Sequence, residues 1–327
     1  MKKKILVWIL LTFFVGNVSI AQAQQPQKVP RIGYLATVSL SAISHRIEAF
    51  RQGLRELGYV EGKNIVIEYR YAEGKPDRLP GLAAELVRLK VDIIVTAGSP
   101  ATRAAKEATN TIPIVMTNEG DPVGTGFVAS FARPGGNITG LSTLAPELGG
   151  KRLEILKEVV PKASRVAVIG GSTVPDYAQV LKEIELAAGA LKVKLQYLDV
   201  LDPKDIETAF QAATKGRAGA VLVLQNPVLF SQRTQLAEIA VKSRLPAIYF
   251  QSDFVEAGGL MTYGVNITDL NRRAATFVDK ILKGRTPADL PVEQPMKFEF
   301  IINLKAAKQI GLTIPPNVLV RADRVIR

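Results

Sequence analysis

The sequence predicts an α/β protein of two lobes, each a doubly wound parallel sheet, joined by a hinge that the chain crosses several times. Three observations predict it. From Pro30 onward, short β-branched runs alternate with helical stretches, as in a parallel sheet covered by helices on both faces. The same alternation then recurs, in the same order, in the second half of the chain. Finally, 327 residues that are 47% hydrophobic and 22% charged, with no low-complexity tract, suffice for two domains with ordinary cores.

In the first lobe the strand candidates are Ile32–Leu35, Ile65–Tyr69, Asp92–Thr96 and Ile114–Thr117. Apolar residues at helical spacing lie between them: Ile47, Phe50, Leu54 and Leu57, then Leu82, Leu86 and Leu89. A Pro-Gly-Gly turn followed by Asn137 to Thr143 breaks the pattern and marks the join. In the second lobe Arg165-Val-Ala-Val-Ile answers Arg31-Ile-Gly-Tyr-Leu, and Leu195–Leu198 answers Ile65–Tyr69. Likewise Ala220-Val-Leu-Val-Leu-Gln-Asn-Pro answers Ile93-Ile-Val-Thr-Ala-Gly-Ser-Pro, and Leu245-Pro-Ala-Ile-Tyr answers Ile112-Pro-Ile-Val-Met. Each piece is ordinary; four in one order indicate an internal repeat. A strand-like Leu260–Gly264, a helix from Leu270 to Leu282 ended by Gly284, and Phe298–Ile302 complete the chain. The expected division is 24–142 with 265–284 for the first lobe, and 143–264 with 285–327 for the second. Lobes joined this way imply closure on something held between them.

The N-terminus reads as an export signal. Lys2, Lys3 and Lys4 precede an apolar run from Ile5 to Gly16, and Ala21-Gln-Ala23 is a small-x-small cleavage site. The run is shorter than the ~20 residues a spanning helix needs. Residues 1–23 are therefore expected to be removed. There is no cysteine, so no lipid anchor at the cleavage point, and a periplasmic location is expected. Removing the three signal lysines from 42 basic residues leaves 39 against 30 acidic, a net charge of +9. The basic residues are scattered as solvated faces, which argues against nucleic acid as a partner.

Ligands of open parallel sheets bind outside the carboxyl ends of the strands. Val95-Thr-Ala-Gly-Ser-Pro-Ala-Thr-Arg103 is such an end. Ser99 before Pro100 reads as a helix start, with the N–H groups of Ala101 and Thr102 facing outward in the positive field of the helix. Asn226-Pro227 holds the matching place in the second lobe, so Ser99 and Asn226 are expected to confront each other across the cleft. Tyr34 and Thr37 follow the first strand, Asn118 and Asp121 the fourth, Ser172 the first strand of lobe two, and Asp253 its last matched strand. Tyr34 would line a wall; Asp121 and Asp253 could meet polar ligand groups or cap helices. A single histidine, His45, and no cysteine leave no zinc site and no Cys/His or Ser/His/Asp machinery. No phosphate-loop or dinucleotide fingerprint occurs, so neither catalytic residue, metal nor cofactor is expected.

The stretches Leu79-Pro-Gly-Leu-Ala-Ala-Glu-Leu-Val, Gly120-Asp-Pro-Val-Gly and Ala132-Arg-Pro-Gly-Gly-Asn-Ile-Thr-Gly resemble ABC-transporter substrate-binding proteins of the tryptophan/tyrosine type. So do Val255-Glu-Ala-Gly-Gly-Leu-Met-Thr-Tyr-Gly, Gly311-Leu-Thr-Ile-Pro-Pro and Arg321-Ala-Asp-Arg-Val-Ile. The resemblance implies a periplasmic-binding fold of the first type with three crossings and a ligand in the cleft, and members of known ligand bind aromatic amino acids. It carries the family's contact positions to Ser99, Asp121, Ser172 and Asn226. The expected function is the periplasmic solute-binding component of an ABC importer, holding a small carboxylate-bearing ligand, aromatic or amino-acid in kind. Its partner would be an inner-membrane permease, and a monomer fits the role. A sensor presenting its closed form to a signalling receptor, and an exported carboxylate hydrolase, are the alternatives.

Overall fold

Strands buried on both faces fix the sheets of this protein. Arg31–Ala36 is buried at every position but the first, and Ile114–Glu119 and Ile138–Ser142 are buried throughout. Such strands must be covered on each side, which parallel strands linked by helices achieve. The computed structural model describes residues 29–327; the signal assigned to residues 1–23 lies outside the described residues. In chain order the elements are β1 (Arg31–Ala36), α1 (Leu40–Glu56), β2 (Val66–Tyr71), α2 (Leu79–Arg88), β3 (Ile93–Ala97), α3 (Ser99–Ala108), β4 (Ile114–Glu119) and β5 (Ile138–Ser142). Then come α4 (Ala145–Val159), β6 (Arg165–Gly170), α5 (Tyr177–Leu191), β7 (Lys194–Asp199), α6 (Asp205–Lys215), β8 (Ala220–Val223), α7 (Pro227–Ser231) and α8 (Arg233–Lys242). The last are β9 (Ala247–Tyr249), α9 (Asp253–Glu256), β10 (Met261–Gly264), α10 (Ile267–Leu282), β11 (Glu299–Asn303), α11 (Leu304–Gln309), α12 (Pro316–Leu319) and β12 (Arg324–Ile326).

The first sheet has the order β2-β1-β3-β4-β5 and the second β12-β11-β10-β9-β8-β6-β7. β1 lies between β2 and β3 with Ile32 opposite Ile67 and Ile93, and β6 lies between β7 and β8 with Val166 opposite Leu195 and Ala220. The internal repeat is thus a repeat of topology. Two features depart from the sequence reading. Ile138–Ser142, read as a join, is the edge strand of the first sheet, paired with β4. The second sheet is also not wholly parallel: β11 runs antiparallel to β10, with Met261 opposite Ile302.

The chain crosses between the sheets after β5 and after β10. Beyond α10 the chain keeps contact with the first sheet for some residues. Val292 and Glu293 still run along the first sheet, where Val292 N–H bonds to Phe131 O and Glu293 N–H to Gly140 O. One apolar cluster covers the first sheet through Leu86, Ile94 and Met116, and another the second through Leu156, Val168 and Leu222. A third runs unbroken from Ile47 and Phe50 in α1 through Phe230 and Phe250 to Phe210 in α6, so the two lobes meet over apolar surface.

Helix α10 returns after the second sheet to pack on α1. The approach is close at Gly53, where an added Cβ would lie 2.1 Å from Arg272 O and 2.9 Å from Ala275 Cβ. Gly53→Ala should therefore destabilise by about 1–3 kcal/mol through overpacking. Gly189→Ala, in α5 with no atom within 4 Å of the added methyl, should be neutral or stabilise by up to ~1 kcal/mol. Urea denaturation followed by tyrosine fluorescence reads both; equal effects would refute the close-approach argument.

Candidate ligand-binding site

The carboxyl ends of β1, β3 and β4 face those of β8 and β9, and a cavity lies between them with an empty volume of ≈ 570 Å³, part of it open to solvent. The first lobe lines it with Thr37, Ser99 and Asn118, and with Ile43 and Arg46 from α1. The second lobe contributes Gln225, Asn226, Phe230, Phe250 and Gln251. Ser99 and Asn226 therefore share one cavity from opposite lobes, as the repeat predicts.

Their local roles differ. Asn226 caps α7, its Oδ1 accepting from Val228 N at 2.6 Å and Leu229 N at 3.3 Å. Ser99, expected to be a cap, is not one. The N-cap of α3 is Gly98, whose φ of 91° is open to glycine, and Gly98 O accepts the N–H groups of both Ala101 and Thr102 at 3.1 Å. These two amides are consequently hydrogen-bonded within their own turn. The Ser99 hydroxyl donates to Glu119, with Asp176 from the second lobe 3.5 Å away. Burial pushes the Glu119 carboxyl up to about 8, with the charge of Asp176 adding to it. Burial likewise raises Asp176 to about 6, with Asp121 as a further contributor.

The cavity's side-chain amides present mainly donors. Asn118 Oδ1 accepts from Thr117 Oγ1 at 2.6 Å, Gln225 Oε1 from Thr143 Oγ1 at 3.4 Å, and Asn271 Oδ1 from Tyr34 at 2.8 Å. Among the described residues the amino groups of Asn118 and Gln225 have no protein acceptor. Gln251 is the reverse case: its Nε2 donates to Asp253 at 3.2 Å and its Oε1 stays open. Two buried atoms on cavity residues have no partner at all, Thr37 Oγ1 and Arg46 Nε.

Arg46 joins the lobes. Its guanidinium stacks 4.3 Å from the centre of the Phe230 ring and pairs through Nη2 with Asp253 at 3.2 Å. Arg46 is 7% exposed, and burial lowers its pKa while Asp253 opposes the shift. His45 stands 3.4 Å from the same carboxylate. Asp253 thus serves as a counter-ion outside the cavity lining. Other expected contacts also stand apart from it. Tyr34 is fully buried, donating to Asn271, and forms no wall. Asp121 binds Gly124 N at 2.8 Å within its own turn, and Ser172 is exposed and bonded to Asp199. Of the cavity residues that reading the strand ends misses, Phe230 and Gln225 flank the Asn-Pro turn, and Arg46 sits among the apolar residues of α1.

Two α/β lobes facing across a cavity at their strand ends define a periplasmic-binding-protein architecture of the first type, a class built to enclose small solutes. The chain belongs to the ABC transporter substrate binding protein family, which it matches over residues 31–326. It is similar to a tyrosine-binding protein of Clostridioides difficile, 28% identical over 291 residues that cover 88% of this chain and 82% of the relative. A conserved domain protein of Vibrio cholerae superposes with a TM-score of 0.86 at 29% identity, covering 91% of this chain and all of that one. An ABC domain from Streptococcus pneumoniae in complex with L-Trp superposes at 0.82, with 26% identity and coverage of 90% of this chain and 100% of that chain. No helix among the described residues is long and apolar enough to cross a membrane, and no three or more His, Cys, Asp or Glu side chains among them are grouped so as to hold a metal ion.

The carboxyls behind Ser99 generate a pH dependence. Both pKa values are raised above their ordinary values of 4.5 and 3.8, so the folded state holds protons that the unfolded chain releases. The stabilisation is complete below these ordinary values and is lost as pH rises to about 6 for Asp176 and about 8 for Glu119. Between about pH 5.5 and 7.5 the loss from Glu119 should approach about 2–3 kcal/mol, roughly 1.4 kcal/mol per pH unit. Glu119→Gln should flatten that slope. Thermal melts of both proteins across this range test it, and parallel profiles would contradict the assignment.

Proposed function

We propose that this protein is the periplasmic solute-binding component of an ABC importer, and that it encloses a small carboxylate-bearing ligand with an aromatic or apolar body. The observation that carries the reading is the cavity itself, closed from two sides by the strand ends of both lobes. Aromatic amino acids, the ligands named for two of the relatives, belong to the class considered. The N–H groups of Asn118 and Gln225 would receive the carboxylate from opposite lobes. Phe230 and Phe250 would pack against the ligand body. In this reading residues 24–142 with 265–284 move as one lobe, extended to Glu293, and the remainder as the other. The closed form would dock on an inner-membrane permease, the monomer being sufficient for that encounter. A ligand that touches both lobes binds the closed form better than the open one and so shifts the population toward it. The export signal read from the sequence and the family's role in delivery both support the assignment.

A thermal-shift panel of aromatic carboxylates and amino acids provides the test. A ligand at ~100 times its dissociation constant should add about 2.7 kcal/mol of stability. Gln225→Ala should weaken that ligand about fivefold to tenfold, equivalent to ~1 kcal/mol for one hydrogen bond, with little effect on the melting point of the free protein. Ligand binding that ignores Gln225→Ala would move the site elsewhere.

A further inference from the structure

The cavity's open polar atoms are mainly donors, the carbonyl of Gln251 being the exception. Arg46 is its charged lining residue, and no Asp or Glu lines it among the described residues. Arg46 Nε can only donate, and it is buried without a partner, as is the hydroxyl of Thr37, a second residue of the same cavity lining. An unsatisfied buried donor costs about 1–3 kcal/mol, so both atoms gain from an oxygen-bearing ligand. The amides of Asn118 and Gln225 add N–H groups, because their oxygens are already engaged by Thr117 and Thr143.

A cationic group would find no such welcome. None of the nearest carboxylates lines the cavity. Asp253 holds Arg46, Gln251 and His45. Glu119 is wholly buried behind Ser99, whose hydroxyl it accepts. Asp176 also lies behind Ser99 and lines a smaller neighbouring cavity of ≈ 270 Å³ that contains Arg152. Arg152 is itself 3% exposed and bonded to two backbone carbonyls, those of Tyr263 and Phe250, which adds a second positive charge on that side. An ammonium group enclosed here would be desolvated without an anion to meet it, which costs several kcal/mol. The carbonyl of Gln251 can accept from a phenol or an indole N–H, but it cannot neutralise a charge.

We propose that the cavity selects an anionic aromatic carboxylate that lacks an α-ammonium group, such as an arylpropionate, over the corresponding amino acid. The inference rests on the reading of the cavity as the solute site and narrows its ligand class. One carboxylate oxygen would lie against Arg46 Nε and Thr37 Oγ1 and the other against the amino groups of Asn118 and Gln225, with the aryl group among Phe230, Phe250, Val38 and Val174.

Isothermal titration of the mature protein with compounds that differ in one group decides the matter. The pairs are indole-3-propionate with L-tryptophan and 3-(4-hydroxyphenyl)propionate with L-tyrosine; indole-3-propionamide is the uncharged control. In at least one pair the acid should bind a hundredfold or more tighter than its amino acid, and at least tenfold tighter than the amide where the indole pair is the one that binds. Arg46→Gln should reduce the acid's affinity tenfold or more. Thr37→Val, which keeps shape and leaves Arg46 with Asp253, should reduce it about fivefold even if the first variant folds poorly. An amino acid that binds as tightly as its acid overturns this inference and leaves the solute-binding reading standing. An amide that equals the acid overturns the role of charge. If none of the five compounds binds at millimolar concentration, the aromatic carboxylate reading falls together with the inference.

Discussion

The site depends on one buried cation. Arg46 sits on the apolar face of α1, between Ile43 and Ile47 in the sequence, and is almost wholly withdrawn from water. A guanidinium in that position must find compensation. It does so only by reaching across the cleft, to the carboxylate of Asp253 and the ring of Phe230. Both partners belong to the second lobe, one at the start of α9 and the other in α7. The same contact therefore closes the lobes, fixes Phe230 as a wall, and leaves Nε unsatisfied at the cavity. Opening the cleft would return Arg46 and Asp253 to water, so their pairing biases the distance between lobes without making closure irreversible.

Much of this architecture is legible in the sequence because it is periodic. Strands such as Ile93–Ala97 and Ala220–Val223 are short apolar runs ending in turn residues, and their repetition identifies two lobes before any contact is known. The same argument places Ser99 and Asn226 at equivalent strand ends facing one cavity. It fails where chemistry is decided by distant neighbours. A Ser-Pro pair reads as a cap, but Gly98 takes that position because its backbone is left-handed, and Ser99 is then free to serve Glu119. Ile138–Ser142 contains Gly140 and follows a Pro-Gly-Gly turn, so its strand character emerges only from pairing with β4. Tyr34 looks like a wall because it ends near the cleft, yet its alternation on β1 points it inward to Asn271. Arg46 did carry a signal. It lies three residues after Ile43 and four before Phe50, within the buried stripe of α1, and a charge in such a stripe calls for a partner.

The carboxyls and the cation are separated by Ser99. On one side Glu119 and Asp176, from opposite lobes, approach each other in a place where burial favours their neutral forms. On the other the cavity offers the donors of Arg46, Asn118 and Gln225. The Ser99 hydroxyl points its proton at Glu119, so the acids do not project negative charge directly into the cavity. The donors therefore line the cavity while the acids lie outside its lining.

Closure and recognition then become one problem. In this structure the interface satisfies itself with an apolar cluster that includes Ile43, Phe230 and Phe250 and with the Arg46–Asp253 pair, but it leaves two polar atoms on cavity residues without partners. Those atoms recover their hydrogen bonds with water when the cleft opens. The empty closed form consequently carries a penalty that the open form does not, of order 1–3 kcal/mol for each buried orphan. A ligand oxygen removes that penalty only in the closed form. This difference, rather than total affinity, is what shifts a two-state equilibrium. A cavity with fully satisfied walls would bind through apolar contact and close regardless of occupancy. Under the proposed solute-binding role, two orphaned polar atoms would make closure conditional on an occupant of the cavity.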